Sequence, residues 1–243
     1  MEKRTYALLY EVEDAHWWFV TRRKMVRALL ARYASPHSKV LEIGCGTAAT
    51  LSMLAKEGYQ VAGLDMSTDA QQFAAERSIP VAIGSADALP YPDHQFDVVL
   101  LLDVIEHIAE DTVALAEAAR VLRPGGIVVL FTPAYMWMWG RQDRISHHQR
   151  RYTQSVLRKR IPLTLRVEKI SYFNTFLFPL IALIRVFTET FHLQLPDENR
   201  MNAPWVNRIC ATIFGWEVPV VSRISLPFGV SLMLVAKKHE PMV

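Results

Sequence analysis

Three features of the 243-residue chain predict an α/β fold built on a doubly wound parallel sheet. Strand-like and helix-like patterns alternate through the first ~130 residues. The apolar run Val40-Leu41-Glu42-Ile43 breaks into Gly44-Cys45-Gly46-Thr47, as a buried strand does where it turns sharply into a helix. Phe96-Asp97-Val98-Val99-Leu100-Leu101-Leu102 is almost continuously apolar, as strands buried on both faces are.

Composition sets the frame. Hydrophobic residues make up 51 %, enough for a sizeable core, and a net charge of +3 is too small to imply nucleic acid by itself. The two cysteines, Cys45 and Cys210, lie far apart, so a reducing compartment is expected rather than a disulfide framework. Met1-Glu2-Lys3-Arg4-Thr5 leads into no apolar h-region, so no secretory leader and a cytoplasmic location are expected.

Residues 6–33 read as one helix, with Tyr10, Trp17, Trp18, Phe19, Met25, Val26, Leu29 and Leu30 at helical spacing. It serves as an amphipathic cap, or as a lid in which Trp17, Trp18 and Phe19 exclude water while Arg22 binds a carboxylate. Glu42 is the unusual residue of the first strand. A carboxylate at a buried strand end is costly without a partner. A ligand carrying an ammonium group or ribose hydroxyls would supply one, whereas a pyrophosphate would be repelled. Gly44-x-Gly46-x-x-Ala49 also satisfies the dinucleotide pattern, so the glycines alone do not choose between ligands. The second strand, residues 59–65, ends in Asp65, where an acid can accept from both hydroxyls of an adenosine ribose. Asp87, in the polar turn Gly84-Ser85-Ala86-Asp87, could accept from an adenine amino group, although turn formation alone would explain it.

Taken together, Leu41-Glu42-Ile43-Gly44-Cys45-Gly46-Thr47, Asp65, Ala86-Asp87-Ala88-Leu89-Pro90, the stretch from Phe96-Asp97-Val98-Val99 to Glu106-His107, and Leu122-Arg123-Pro124-Gly125-Gly126 resemble the class I methyltransferases that use S-adenosylmethionine. Five motifs in order over residues 38–133 are far more specific than the glycines. Ala49 stands where many members have glycine. The resemblance implies a Rossmann-like sheet of seven strands with helices on both faces, and S-adenosylmethionine as cofactor. It implies Glu42, Gly44, Gly46, Asp65, Asp87, Ala88 and Leu102 as its lining. Met66, beside Asp65, is counted with them, as are Trp18 and Arg22 of the cap.

The family topology also implies an antiparallel edge, with residues 165–170 and 229–236 as strands six and seven. Roughly 55 residues separate them, too many for a structureless loop, so helices are expected there. The apolar run 175–184 is shorter than the ~18–20 residues that span a bilayer and reads as a buried helix. The expected organisation is a helical cap at 1–34 and a methyltransferase domain at 35–243. A helical insertion at 174–227 would cover the acceptor; peripheral membrane contact and a homodimer are left open.

After the fifth strand comes the most unusual stretch, residues 133–153. Trp137 and its aromatic neighbours offer an apolar wall, and Arg144, Arg150 and Arg151, with Tyr152, suit an anionic acceptor. His147 and His148 titrate near neutral pH and are candidate bases. No metal is expected, since no His/Cys spacing motif is present. The expected activity is methyl transfer to oxygen, hydroxyl or carboxylate, of a small or lipid-like acceptor. The alternative is a non-catalytic cofactor-binding or membrane-surface protein. A nicotinamide dehydrogenase leaves the adenine loop unexplained, and nucleic-acid methylation lacks an Asn-Pro-Pro-Tyr-type motif.

Overall fold

A computed structural model describes residues 3–191, 193 and 203–240. Seven strands form one sheet in the order β3-β2-β1-β4-β5-β7-β6. These are β1 (Lys39–Ile43), β2 (Gln60–Asp65), β3 (Val81–Ile83), β4 (Phe96–Leu102), β5 (Leu122–Pro133), β6 (Leu165–Phe173) and β7 (Ser231–Lys238). β7 runs antiparallel between β5 and β6, and the other pairings are parallel, as expected. Strand order reverses between β1 and β4, which opens a crevice at their carboxyl ends.

Alternation along the strands divides the core into two layers. Leu41, Ile43, Val99, Leu101, Val128 and Leu130 face α5 (Asp111–Val121) and α7 (Gln154–Arg160). Val40, Val98, Leu100, Val129 and Phe131 face the layer that holds α3 (Ala49–Lys56) and two helices introduced below. α4 (Thr68–Glu76) follows β2, and α6 (Arg141–Ile145) is a short turn of helix after β5.

The N-terminal region departs from expectation, because two helices replace one. α1 (Lys3–Val12) ends before a turn at residues 13–16, and α2 (Trp17–Tyr33) begins there. His16 caps α2: its ring nitrogen accepts from the Trp18 backbone N–H. Asn207 completes the corner by accepting from the Trp17 N–H at 2.8 Å and donating to the Ala15 carbonyl at 2.9 Å.

The region between β6 and β7 contains α8 (Phe178–Thr190) and α9 (Pro204–Val221), the helices expected there. α9 is anchored. Phe214 is fully buried, and Glu217 accepts from the Thr175 N–H at the exit of β6. α8 corrects the reading of a buried helix, since none of its residues is buried. The apolar run at its start imitates a core sequence, but among the described residues no element covers its outer side.

Trp18 follows the reading of an amphipathic cap packed on the domain. Its indole stacks on Phe173 at 5.9 Å and on Phe214 at 5.5 Å, with interplanar angles near parallel at 15° and 16°. The ring therefore joins α2 to β6 and α9 by packing. Truncating the centre of this stack should be severe. Phe214→Ala is expected to cost ~3–5 kcal/mol through lost contacts and a residual cavity. Urea unfolding of parent and variant measures it; a difference under ~1 kcal/mol would show that the stack does not hold α9.

Candidate functional site

The turn after β1 is fixed by backbone bonds. Both Gly44 N–H and Cys45 N–H donate to the Leu64 carbonyl, at 2.7 and 3.1 Å. Gly44 has φ +67°, and a Cβ there would lie 2.6 Å from Val104 Cγ2, so glycine is required. Gly46 differs. Its φ is +54°, yet a Cβ would meet nothing within 4 Å, which leaves open space above the turn for a ligand.

Carboxylates surround that space. Glu42 is 3 % exposed, and its Oε2 has no hydrogen-bond partner. Burial pushes its pKa up to about 8, against the nearby positive charge of Arg22. Arg22 donates to Asp103 Oδ2 at 2.7 Å and to the Leu102 carbonyl at 3.4 Å, tying α2 to the end of β4. Asp65 accepts from the Gly46 N–H at 2.9 Å, the Ser67 N–H at 3.0 Å and the Tyr6 hydroxyl at 3.1 Å. Met66, Asp87 and Ala88 are exposed at the same edge.

Sequence reasoning missed the contribution of α1 to this site. Besides Tyr6 on Asp65, Glu13 accepts from the Thr47 hydroxyl and from Arg77 Nη2. No local motif marks these residues, since their partners lie 34 or more positions away.

The loop after β5 forms a second cluster around Asp143, which is fully buried. Arg151 donates to both of its oxygens, at 2.7 and 2.9 Å. Arg185 of α8 reaches it at 3.3 Å, the Gly140 N–H donates at 2.8 Å, and His148 Nδ1 lies 2.8 Å away. Burial pushes the Asp143 carboxyl up, but the bonds from His148 and Arg151 outweigh it and hold the group well below the usual carboxylate range. An ionised carboxylate only accepts, so His148 Nδ1 donates, and in the neutral ring the lone pair falls on Nε2. The loop is pinned to the turn after β4: the Gln149 N–H donates to the Glu106 carbonyl at 2.7 Å.

This geometry separates the expected acceptor residues. His147 is exposed with φ +55°, while its neighbour His148 turns inward to Asp143. Arg144 pairs with Glu189 of α8, and Arg150 with Asp111. Arg151 is a buried strut for Asp143. Tyr152 is fully buried, with its hydroxyl on Asp111 Oδ2 at 2.8 Å, and so belongs to the core. Trp137 remains half exposed and packs against Phe178. Asp143 could have been sought from the sequence, because four arginines in one loop call for a counter-ion.

Glu106 and His107 complete the cluster. Glu106 Oε2 accepts from the Thr132 hydroxyl, its Oε1 has no partner, and burial and the charge of Asp103 raise its pKa well above normal. Burial and His148 lower the pKa of His107 to about 4. Glu106, His107 and His148 each bring a ligand-type atom to within 4.8 Å of the others, a juxtaposition that sequence spacing could not reveal. Donors around a tetrahedral zinc with bonds of ~2.0–2.3 Å stand ~3.3–3.7 Å apart. Any pair at the outer limit would have to contract to hold such an ion.

A switch-point crevice with an open glycine turn, an acid at the end of β2 and an under-partnered buried carboxylate at β1 defines a nucleoside-binding α/β domain. Residues 41–130, which run from β1 into β5, match the family described as the methyltransferase domain. Demethylmenaquinone methyltransferase of Tropheryma whipplei is 33 % identical over 132 residues, covering 52 % of each chain. The protein of the same name from Mycolicibacterium paratuberculosis is 34 % identical over 118 residues, covering 49 % of this chain and 48 % of that one. The chain thus spans about half the length of these relatives. Among solved structures, the complex of the Haloferax volcanii Trm112 methyltransferase activator with its methyltransferase matches with a TM-score of 0.65 at 18 % identity, over 99 % of this chain and 96 % of that one. The [4+2]-cyclase SpnF matches with a TM-score of 0.59 at 18 % identity, over 89 % and 80 %.

The residues fit the family's methyl donor, S-adenosylmethionine. Asp65 would hold ribose hydroxyls, the unpartnered Glu42 oxygen would face the cationic methionine end, and the space over Gly46 admits the molecule. Asp65→Ala should weaken donor binding about 30- to 150-fold, the equivalent of ~2–3 kcal/mol, and calorimetry on the folded variant reads it directly. Unchanged binding would remove Asp65 from the site. Glu42 gives a separate readout. Its folded pKa is raised, so its stabilising contribution is complete below the unfolded pKa near 4.5 and is lost as pH climbs to about 8. Glu42→Gln should therefore gain stability over the parent across that window, by a limit on the order of 5 kcal/mol. Urea titrations at the two ends of the window measure it, and a pH-independent difference would contradict the raised pKa.

Proposed function

We propose that the protein transfers the methyl group of S-adenosylmethionine to an acceptor hydroxyl on a lipid-like molecule, with His148 as general base. The carrying observation is the 2.8 Å bond between His148 Nδ1 and Asp143, whose carboxylate is itself held by Arg151 and Arg185. The donor supplies an electrophilic methyl on a sulfonium. The remaining task is to align an acceptor lone pair and remove its proton, and alignment alone can supply ~7–11 kcal/mol.

Asp143 fixes the orientation and tautomer of the His148 ring, which leaves the Nε2 lone pair to take a hydroxyl proton. Neutral His107, edge-on to His148 at 4.6 Å, adds no opposing cation near neutral pH. A hydroxyl is favoured over a carboxylate acceptor because Arg144, Arg150 and Arg151 already pair with Glu189, Asp111 and Asp143. The names of the T. whipplei and M. paratuberculosis relatives support a second reading, a prenylated quinol methylated on a ring carbon. The same base would serve, since removing a phenolic proton activates both the oxygen and the adjacent ring carbon.

His148→Ala is expected to lower kcat ~10²–10⁴-fold with donor affinity unchanged, while His147→Ala changes little. Product release with a prenylated hydroquinone and with a long-chain alcohol provides the assay, and NMR of the labelled product separates a methoxyl from a ring methyl. Full turnover in His148→Ala would overturn the base assignment. Intact donor binding with no transfer to any hydroxylated acceptor would favour a non-catalytic role.

A further inference from the structure

Two consecutive helices present apolar surface that nothing in the described structure covers. On α8 the exposed positions include Leu180, Leu183 and Phe187, with Leu183 67 % exposed, and none of its exposed positions carries a charge. Its two charged residues turn toward the loop after β5: Arg185 to Asp143 and Glu189 to Arg144. On α9 the exposed stripe includes Trp205, Ile209 and Trp216, with the two indoles 69 % and 66 % exposed. Arg208 is the single charge at its exposed positions, and Arg223 stands exposed just beyond the helix. A solvated helix face ordinarily carries charges of both signs; these faces carry leucine, phenylalanine, tryptophan and arginine.

We propose that α8 and α9 dock the protein on an anionic lipid surface, lying in the interface rather than crossing it. At 13 residues, α8 is ~20 Å long against a hydrocarbon thickness of ~30 Å, and no helix among the described residues is long and apolar enough to span. Exposed tryptophans suit the headgroup boundary, where the ring body is apolar and the indole N–H meets water. Charge complementarity selects the partner: the one charge at the exposed positions of the two helices is Arg208, Arg223 follows just beyond α9, and no acid stands at those positions, which fits acidic headgroups. A second copy of the chain would bring only the same apolar and cationic groups to these faces, with no carboxylate on either side to pair Arg208. The docking face also continues into the acceptor loop, where half-exposed Trp137 packs on Phe178 at the start of α8. The surface stands apart from the methyl-transfer reading, and a failed base assignment leaves it untouched.

Sedimentation of the full chain with vesicles tests it. The protein should pellet with phosphatidylcholine vesicles containing phosphatidylglycerol and partition less onto phosphatidylcholine alone. The doubly substituted Leu183→Glu, Phe187→Glu protein should stay in the supernatant while melting as the parent does, since both positions are exposed. Arg208→Gln and Arg223→Gln should each lower partitioning onto the anionic vesicles about fivefold and leave the neutral vesicles unaffected. A parent that remains in the supernatant with anionic vesicles overturns the proposal. So does a dimer seen by light scattering in vesicle-free buffer that Leu183→Glu, Phe187→Glu dissociates, because a second copy would then be the cover.

Discussion

Burying a carboxylate costs several kcal/mol unless the charge is paired, and the carboxyl edge of this sheet buries several of them. How each meets that cost separates framework from site. Asp143 is held by Arg151 and Arg185, and Asp111 by Arg150 and the Tyr152 hydroxyl. Both are struts: removing either acid would leave buried cations or donors unmatched. Glu42 and Glu106 are different, because each keeps an oxygen without a partner and a raised pKa. One lies at the end of β1 and the other just after β4, on the two sides of the strand-order reversal. Each of the two acids thus keeps one oxygen free of hydrogen bonds at the strand ends where the order reverses.

Much of the fold was legible because its signals are local. Near-continuous apolar strands, glycine turns and helix periodicity each occupy a few adjacent residues, and the antiparallel edge followed from family topology. The grouping of Glu42, Gly44, Gly46 and Asp65 at one edge was legible for the same reason: each sits at a strand end that the sequence marks. The acceptor half was read by composition, and composition does not reveal pairing. Arg151 looked like a free cation and is a buried strut; Tyr152 looked like a site residue and is core. His147 and His148 were indistinguishable in sequence, and only backbone conformation, with φ positive at His147, turns them apart.

Two apolar stretches show the same ambiguity. The aromatic group at 17–19 allowed both a packed cap and a water-excluding lid, and the run 175–184 was read as a buried helix because it is apolar and too short to span. What decides either case is the neighbour, and the neighbours come from distant segments: Phe173 and Phe214 for Trp18, and, among the described residues, none on the outer side of α8. Hydrophobicity states that a side chain avoids water without stating what it will meet instead.

The Tyr6 hydroxyl on Asp65 carries a thermodynamic consequence. Asp65 Oδ1 already receives two donors, Tyr6 and the Ser67 N–H, and Oδ2 receives the Gly46 N–H. A ribose offering two hydroxyls to this carboxylate would find three of its roughly four acceptor positions taken, and would compete with Tyr6 for one of them. The helix then behaves as an internal ligand at an effective concentration set by its own tether, and the measured affinity for the nucleoside is the intrinsic one reduced by the fraction of time α1 is seated. Because Glu13, on the turn that ends α1, also accepts from the Thr47 hydroxyl just ahead of α3, unseating would be shared between two contacts rather than one. A ribose held at Asp65 would meet α1 and the turn that follows it there, on the β1–β2 side of the crevice.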